Sequence, residues 1–303
     1  MEEKLVVSSS PHIRSKETTA DIMYNVVLAL LPASLAGIYY FGSQGLVLII
    51  SCVLAAVVME MLFQKVRGVT ITITDGSAVV TGLLLALVLP PGVPIWMAVL
   101  GSVIAIGLGK HIFGGLGDNF FNPALVGRAF LTASFPVVMT TWKLPADTVS
   151  QATPLASEES VPLFDMFIGR IGGSLGETSA LLIILGGLYL LYKGYIDWRI
   201  PVGYLGTVAV LTTFAGARGP LYHLLGGGLM LGAFFMATDM VTTPVTKLGR
   251  WIFAVGCGVF TVLIRTVGGY PEGVMYSILL MNMCVPLIDR YTQPRIYGEV
   301  VEE

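Results

Sequence analysis

A chain of 303 residues that is 55% hydrophobic and only 12% charged, at a mean hydropathy of +0.81, carries more apolar surface than a water-soluble fold can hide. It reads as a polytopic membrane protein, with lipid as its surroundings. A net charge of -2 leaves no electrostatic footprint for nucleic acid.

Residues 1–19 mix both charge signs and lack a small-residue cleavage site, so they read as a cytoplasmic tail rather than a signal peptide. Apolar runs then fall at 22–41, 45–63, 77–91, 94–110 and, broken, at 119–135. After a polar stretch they resume at 178–192, 200–216, 221–237, 251–268 and 273–288. The expected division is a first five-helix repeat over 20–135, an extracytoplasmic loop over 136–177, a second five-helix repeat over 178–289 and a cytoplasmic tail over 290–303. Several runs are short, and Pro90-Pro91, Gly114-Gly115, Asn122-Pro123 and Gly268-Gly269 break them, which predicts half-helices. Irregular backbone survives at membrane depth only where protein or a cavity satisfies it, so these breaks are where sites are expected.

Lys and Arg set the orientation. With a cytoplasmic N-terminus, twelve of the 17 cationic residues fall inside and five, namely Arg128, Lys143, Arg170, Arg218 and Arg265, fall outside or within the membrane. Both termini are therefore expected inside and the central loop outside. The order Gly-apolar run, proline turn, span, Gly-Gly, span with Asn recurs between 82–131 and 232–287. An odd number of spans per half turns the second half upside down, the inverted-repeat arrangement in which broken helices enclose a site near the midplane.

Two stretches carry candidate chemistry. In D-T-V-S-Q-A-T-P-L, Asp147, Ser150, Ala152 and Thr153 fit D-x-x-[ST]-x-A-T, the acceptor pattern for flavin mononucleotide esterified through its phosphate to the threonine. Pro154 biases Thr153 toward an extended conformation that presents its hydroxyl, and Lys143 and Arg170 are cations in the same outer region. A solvated Ser/Thr loop is the alternative reading. In F-G-G-L-G-D-N-F-F-N-P-A-L-V-G-R-A-F, Asn119 and Asn122 stand three apart, so on a helical turn both amides face one side and offer the donors and acceptors that grip a flat heterocycle. Capping of a re-entrant helix is the alternative for these asparagines.

Arg128, two turns further on, needs a carbonyl cluster, an acidic side chain or a phosphate as partner. Asn282 reads as an interhelical hydrogen-bonding residue and Asp75 as a helix start signal. Glu60 and Asp239 read as snorkelling or capping carboxylates, with ion coupling the rival reading. Cys52, Cys257 and Cys284 lie in apolar spans with no C-x-x-C, and the histidines show no ligand spacing, so no metal and no catalytic residue is assigned.

V-L-P-P-G-V-P-I-W, G-K-H-I-F-G-G-L-G-D-N-F-F-N-P-A-L-V-G-R-A-F and the downstream S-Q-A-T-P together resemble the RnfD/NqrB family of membrane flavoproteins across the whole chain, nearer RnfD in its compact length. The resemblance implies a subunit of an ion-translocating ferredoxin:NAD oxidoreductase (Rnf) or of its quinone-reducing relative, with no complete active site of its own. It implies a ten-helix inverted-repeat fold similar to urea transporters and FMN held covalently at Thr153. It also implies a second, non-covalent flavin (riboflavin or FMN) near Asn119 and Asn122. Implied partners are the other Rnf subunits, with RnfA and RnfE in the membrane, the flavin-bearing RnfG, and RnfB and RnfC on the cytoplasmic side. Membrane lipid and a flavin transferase for maturation complete the set. Gln151 stands where the motif usually has glycine, which leaves the nucleophile and its flanks intact. A bacterial or archaeal cytoplasmic membrane is the expected location. A channel or solute transporter without redox function is the alternative on the same fold.

Overall fold

The structure, a computed structural model, describes residues 17–143, 150, 151, 155, 161–169, 172–215, 219–268 and 272–294. It is helical apart from one two-residue pairing of β1 (Trp142–Lys143) with β2 (Ser150–Gln151). Helices occupy all ten apolar runs, though not as ten straight rods. The first two runs merge into α1 (Thr19–Arg67), which starts at a Thr18/Asp21 capping box and turns back at Gly42, whose φ of 62° and ψ of -140° suit glycine.

Next come α2 (Ser77–Val88), α3 (Ile95–Ile106) with a π turn at Gly107–His111, α4 (Pro123–Ser134) and the short α5 (Pro136–Met139). A short α6 (Leu163–Ile168) precedes α7 (Ala180–Lys193) and α8 (Arg199–Ala215). The run expected at 221–237 is split: α9 (Pro220–Leu225) and α10 (Leu229–Leu231) are separated by Gly227 and Gly228, both at positive φ, and α10 runs into a second π turn at Gly232–Met236. The chain then forms α11 (Lys247–Val267) and α12 (Val274–Thr292).

At 12 residues each, α2 and α4 rise only about 18 Å, short of the roughly 30 Å apolar thickness of a bilayer. They are the half-helices that the proline and glycine breaks foretell. α1 and α11 are long and apolar enough to cross a membrane. Large apolar side chains stand exposed on outer faces, among them Leu35, Leu54, Leu185, Val210, Phe214 and Leu263, a surface suited to lipid rather than water.

Small residues set the helix spacing, as packing in lipid requires. A methyl group on Gly82 of α2 would come within 2.7 Å of Val53 Cα in α1, and one on Gly127 of α4 within 2.6 Å of the Gly101 carbonyl oxygen in α3. Tyr189 of α7 donates to Asn25 of α1 at 2.5 Å, and the segment ahead of α7 is held to the end of α2 by the Leu175 amide donating to the Leu89 carbonyl at 3.1 Å.

Between α7 and α8, Asp197 accepts from Arg199 at 3.0 Å and from Arg250 of α11 at 2.5 Å. Burial alone would push this carboxyl up, but the Arg199 amide and the Arg250 and Arg199 guanidiniums outweigh it and hold it below its ordinary value of 3.8. A depressed carboxylate stabilises the fold above its unfolded pKa, and that contribution fades as pH falls through the lower folded value. Asp197→Asn is thus expected to cost about 1 kcal/mol or less at neutral pH, because the arginines are part-exposed. The gap to wild type, followed by thermal unfolding in detergent, should close below pH 3.8. A gap that stays constant through the acid range would refute the pairing.

Candidate functional site

The half-helices converge on a cleft where the start of α2, the turn before α4 and the end of the second π turn meet. Its apolar walls include Val26, Val80, Leu84, Phe234 and Phe235, and its polar groups include Lys110, Asn119, Asn122, Thr238 and Asp239. Both π turns reach it, through Lys110 and through Phe234 and Phe235. Such turns, in which each hydrogen bond skips five residues, re-aim side chains and recur at functional sites. They are invisible to apolar periodicity.

Asn119 and Asn122 do face one cleft, but not from successive positions on a helical turn. Asn122 is the N-cap of α4: its Oδ1 accepts from the Ala124 and Leu125 amides at 3.1 and 3.3 Å. Its Nδ2 donates across to the Met236 carbonyl of the second half at 3.4 Å. Capping, the alternative reading, therefore describes Asn122. Asn119 lies in the turn before the helix, where its Nδ2 donates to the Phe121 carbonyl at 3.1 Å. Its Oδ1 is buried with no hydrogen-bond partner. It is an unpaired acceptor on a residue that lines the apolar-walled cleft.

Asn282 performs the interhelical role expected of it, donating to the Thr242 carbonyl at 3.2 Å. Asn122 and Asn282 thus hold the start and the middle of the irregular segment between the second π turn and α11. Asp239 caps that segment, accepting from the Val241 amide at 3.4 Å and from the Thr242 hydroxyl at 3.2 Å, and also faces the cleft. Asp75 accepts from the Ser77 amide at 2.8 Å and so starts α2 as expected.

Of the three partners open to Arg128, the structure supplies the acidic side chain: Glu272, just ahead of α12. Glu177, to which no sequence pattern points, and Arg265, one of the five cations counted outside or within the membrane, lie close to this pair. Arg265 donates to the carbonyls of His223, Gly226 and Glu272 at 2.6, 3.0 and 3.0 Å. Thr153, Arg170 and the side chain of Lys143 lie outside the described residues. Leu155 does not: it packs against Gly226 and Gly227, within a small cluster that includes Met166 and Tyr222.

Glu60 is no snorkelling carboxylate. It is 1% exposed and pairs with the equally buried Lys110 at 2.9 Å. The charge count places Lys110 among the cytoplasmic surface cations. The π turn instead folds its side chain inward, a displacement that composition alone does not signal.

This arrangement defines a class: a helical protein with an apolar outer surface and a cleft between interrupted helices. The chain belongs to the NQR2, RnfD, RnfE family, whose model matches residues 6–298. It is 52% identical to the D subunit of the proton-translocating ferredoxin:NAD(+) oxidoreductase complex of Clostridium ljungdahlii, over 96% of each chain. It is 54% identical to the D subunit of the Na(+)-translocating ferredoxin:NAD(+) oxidoreductase complex of Acetobacterium woodii, over 97% of this chain and 95% of the relative. It is 43% identical to the D subunit of the ion-translocating oxidoreductase complex of Stutzerimonas stutzeri, over 91% of each.

Proposed function

We propose that this chain is the membrane flavoprotein subunit of a complex that passes electrons between ferredoxin and NAD while moving Na⁺ or H⁺ across the cytoplasmic membrane. Near-full-length identity above 50% to two subunits named for that reaction carries the reading. Its ten helical segments form two inverted five-segment halves, with both termini cytoplasmic and the loop bearing Thr153 outside. Partners are the other Rnf subunits, membrane and cytoplasmic.

Thr153 is the attachment point for FMN through a phosphoester, and the cleft beside Asn119 holds a second, non-covalent flavin. A bound flavin supplies the electron uptake and release; the protein positions it and sets its surroundings. Asn119 Oδ1 is free to accept from the ring imide, and Phe234 and Phe235 exclude water from the ring faces.

Denatured protein from a host that has the flavin-transfer enzyme is expected to fluoresce under ultraviolet light in a gel, and Thr153→Ala is expected to be dark. A dark wild-type band would refute the covalent flavin. Passage of small solutes through the isolated subunit in liposomes would favour the channel reading in its place.

A further inference from the structure

We propose that the pocket between the starts of α8 and α11 binds the headgroup of an anionic phospholipid, whose acyl chains lie along the outer faces of the same two helices. The proposal needs only that the chain sits in a bilayer, and it is independent of the flavin and of the transported ion.

Two guanidiniums share one carboxylate in this pocket. Arg199 donates to the two oxygens of Asp197 through Nη1 alone, at 3.2 and 3.0 Å. Arg250 donates to Asp197 through Nη1 at 2.5 Å and to the Pro244 carbonyl through Nε at 3.0 Å. Nη2 of both residues and Nε of Arg199 have no acceptor among the described residues, although both arginines line the pocket. The Thr243 hydroxyl, also in the lining, makes no hydrogen bond among them either. Asp197 is the one carboxylate of the lining, and the neighbouring Asp239 lines the flavin-sized cleft instead. One net positive charge is therefore left with unused donors, in the planar fork that suits phosphate oxygens. α8 and α11, of 17 and 21 residues, both start here, so the positive ends of two helix dipoles add to the attraction.

The aromatic residues fix the depth of the anion in the membrane. Trp198 and Trp251 meet edge to face at 5.8 Å, and the Arg199 guanidinium lies over the Trp198 ring at 5.1 Å. Trp198 is half exposed, and exposed tryptophan concentrates where headgroups meet hydrocarbon. Beyond it an apolar stripe stands exposed on α11, formed by Leu248, Ile252, Val255 and Val259, and a second on α8, formed by Val202 and Val210. The two helices run side by side in the same direction, with Gly203 against Ala254 and Gly258 against Thr207. Helical geometry then turns both stripes to the same side of their seam.

A diacyl lipid with a phosphate headgroup meets both halves of this arrangement, the donors at the pocket and the apolar furrow leading from it. A free phosphate meets only the first. The count of lysines and arginines puts this end of the helices on the cytoplasmic side, where basic pockets between spans take acidic headgroups.

The test uses the full chain in neutral detergent, with phosphatidylglycerol, phosphatidylcholine and inorganic phosphate added separately. Bound lipid is read by intact mass under non-denaturing conditions, and stability by the unfolding temperature. Wild type is expected to retain one phosphatidylglycerol in preference to phosphatidylcholine, and to be stabilised by that lipid but not by inorganic phosphate. Arg199→Gln and Arg250→Gln are each expected to lower the preference about fivefold. Asp197→Asn removes the competing carboxylate and releases both Nη1 groups, so the preference is expected to rise about fivefold. An ion pair that serves the fold alone predicts no such gain.

Equal retention of the two lipids by wild type, an unchanged preference in either arginine variant, or no gain in Asp197→Asn would overturn the proposal. Stabilisation by inorganic phosphate equal to that by phosphatidylglycerol would show a site for a free anion and overturn the lipid assignment. In the whole complex, the arginine variants are expected to keep every subunit and to lose phosphatidylglycerol. Loss of a subunit with lipid content unchanged would assign the pocket to a protein partner and equally overturn the proposal.

Discussion

Arg128→Ala is expected to destabilise the chain by about 3–5 kcal/mol, since it strands a charge rather than merely deleting a contact. Arg128 is 6% exposed, and its pairing with Glu272 ties α4 in the first half to the start of α12 in the second. Glu272 already has one oxygen, Oε1, without a hydrogen-bond partner, and Glu177 nearby is in the same position with its own Oε1. Without the guanidinium, two buried carboxylates share one neighbourhood with Arg265 alone. The double variant Arg128→Met, Glu272→Gln removes both charges and should recover most of the loss. Cys52 and Cys257 are buried, so a thiol-reactive fluorophore reports unfolding in detergent directly. Equal losses in the single and double variants would show that the guanidinium acts by its bulk and not by its charge.

Gly186→Ala is the second large effect. A methyl group on Gly186 would land on the carbonyl oxygen of Ala29, a backbone atom of α1 that cannot swing aside, and would press on Phe235 at 3.1 Å. Gly187, beside it, is packed just as closely against the Phe234 ring. α7 must move away, at a cost of about 1–3 kcal/mol or more. The movement also disturbs Phe234 and Phe235, which line the cleft. The expected result is a lowered unfolding temperature together with loss of the proposed non-covalent flavin, read as flavin released from the purified complex. Gly206→Ala, in α8 with nothing within 4 Å of the added methyl, is the matched control and should be neutral or stabilising by up to about 1 kcal/mol. Equal behaviour of the two alanines would refute the packing argument.

Much of the helical layout is legible in the sequence because apolar runs and their Gly/Pro punctuation encode it. Pro90-Pro91 and Asn122-Pro123 mark where α2 ends and α4 begins. Less legible is anything set by backbone register. The reversal at Gly42 is a single residue between two helices that continue the same apolar pattern, and the Gly227-Gly228 break lies inside one unbroken run. Neither π turn leaves a periodic trace.

The candidate site divides in the same way. Residue types tell that Asn119, Asn122, Arg128 and Asn282 need partners, but not which. The partner of Arg128 is 144 residues away, and that of Asn122 is 114 residues away. Such pairings emerge only when the halves pack. The Glu60 and Lys110 pair escapes sequence reading for a related reason: each sits near a span end, where surface charge is the ordinary expectation, and only the π turn at Gly107–His111 brings them together.

The cross-links between the halves bear on how the molecule can move. Arg128 with Glu272, Asn122 with Met236 and Tyr189 with Asn25 tie three different pairs of segments across the two halves. A clamshell swing of one half against the other would have to sever each of these ties, one of them a largely buried ion pair. Rearrangement of single side chains inside a stationary housing is then the cheaper motion, and groups mounted on that housing keep a constant separation.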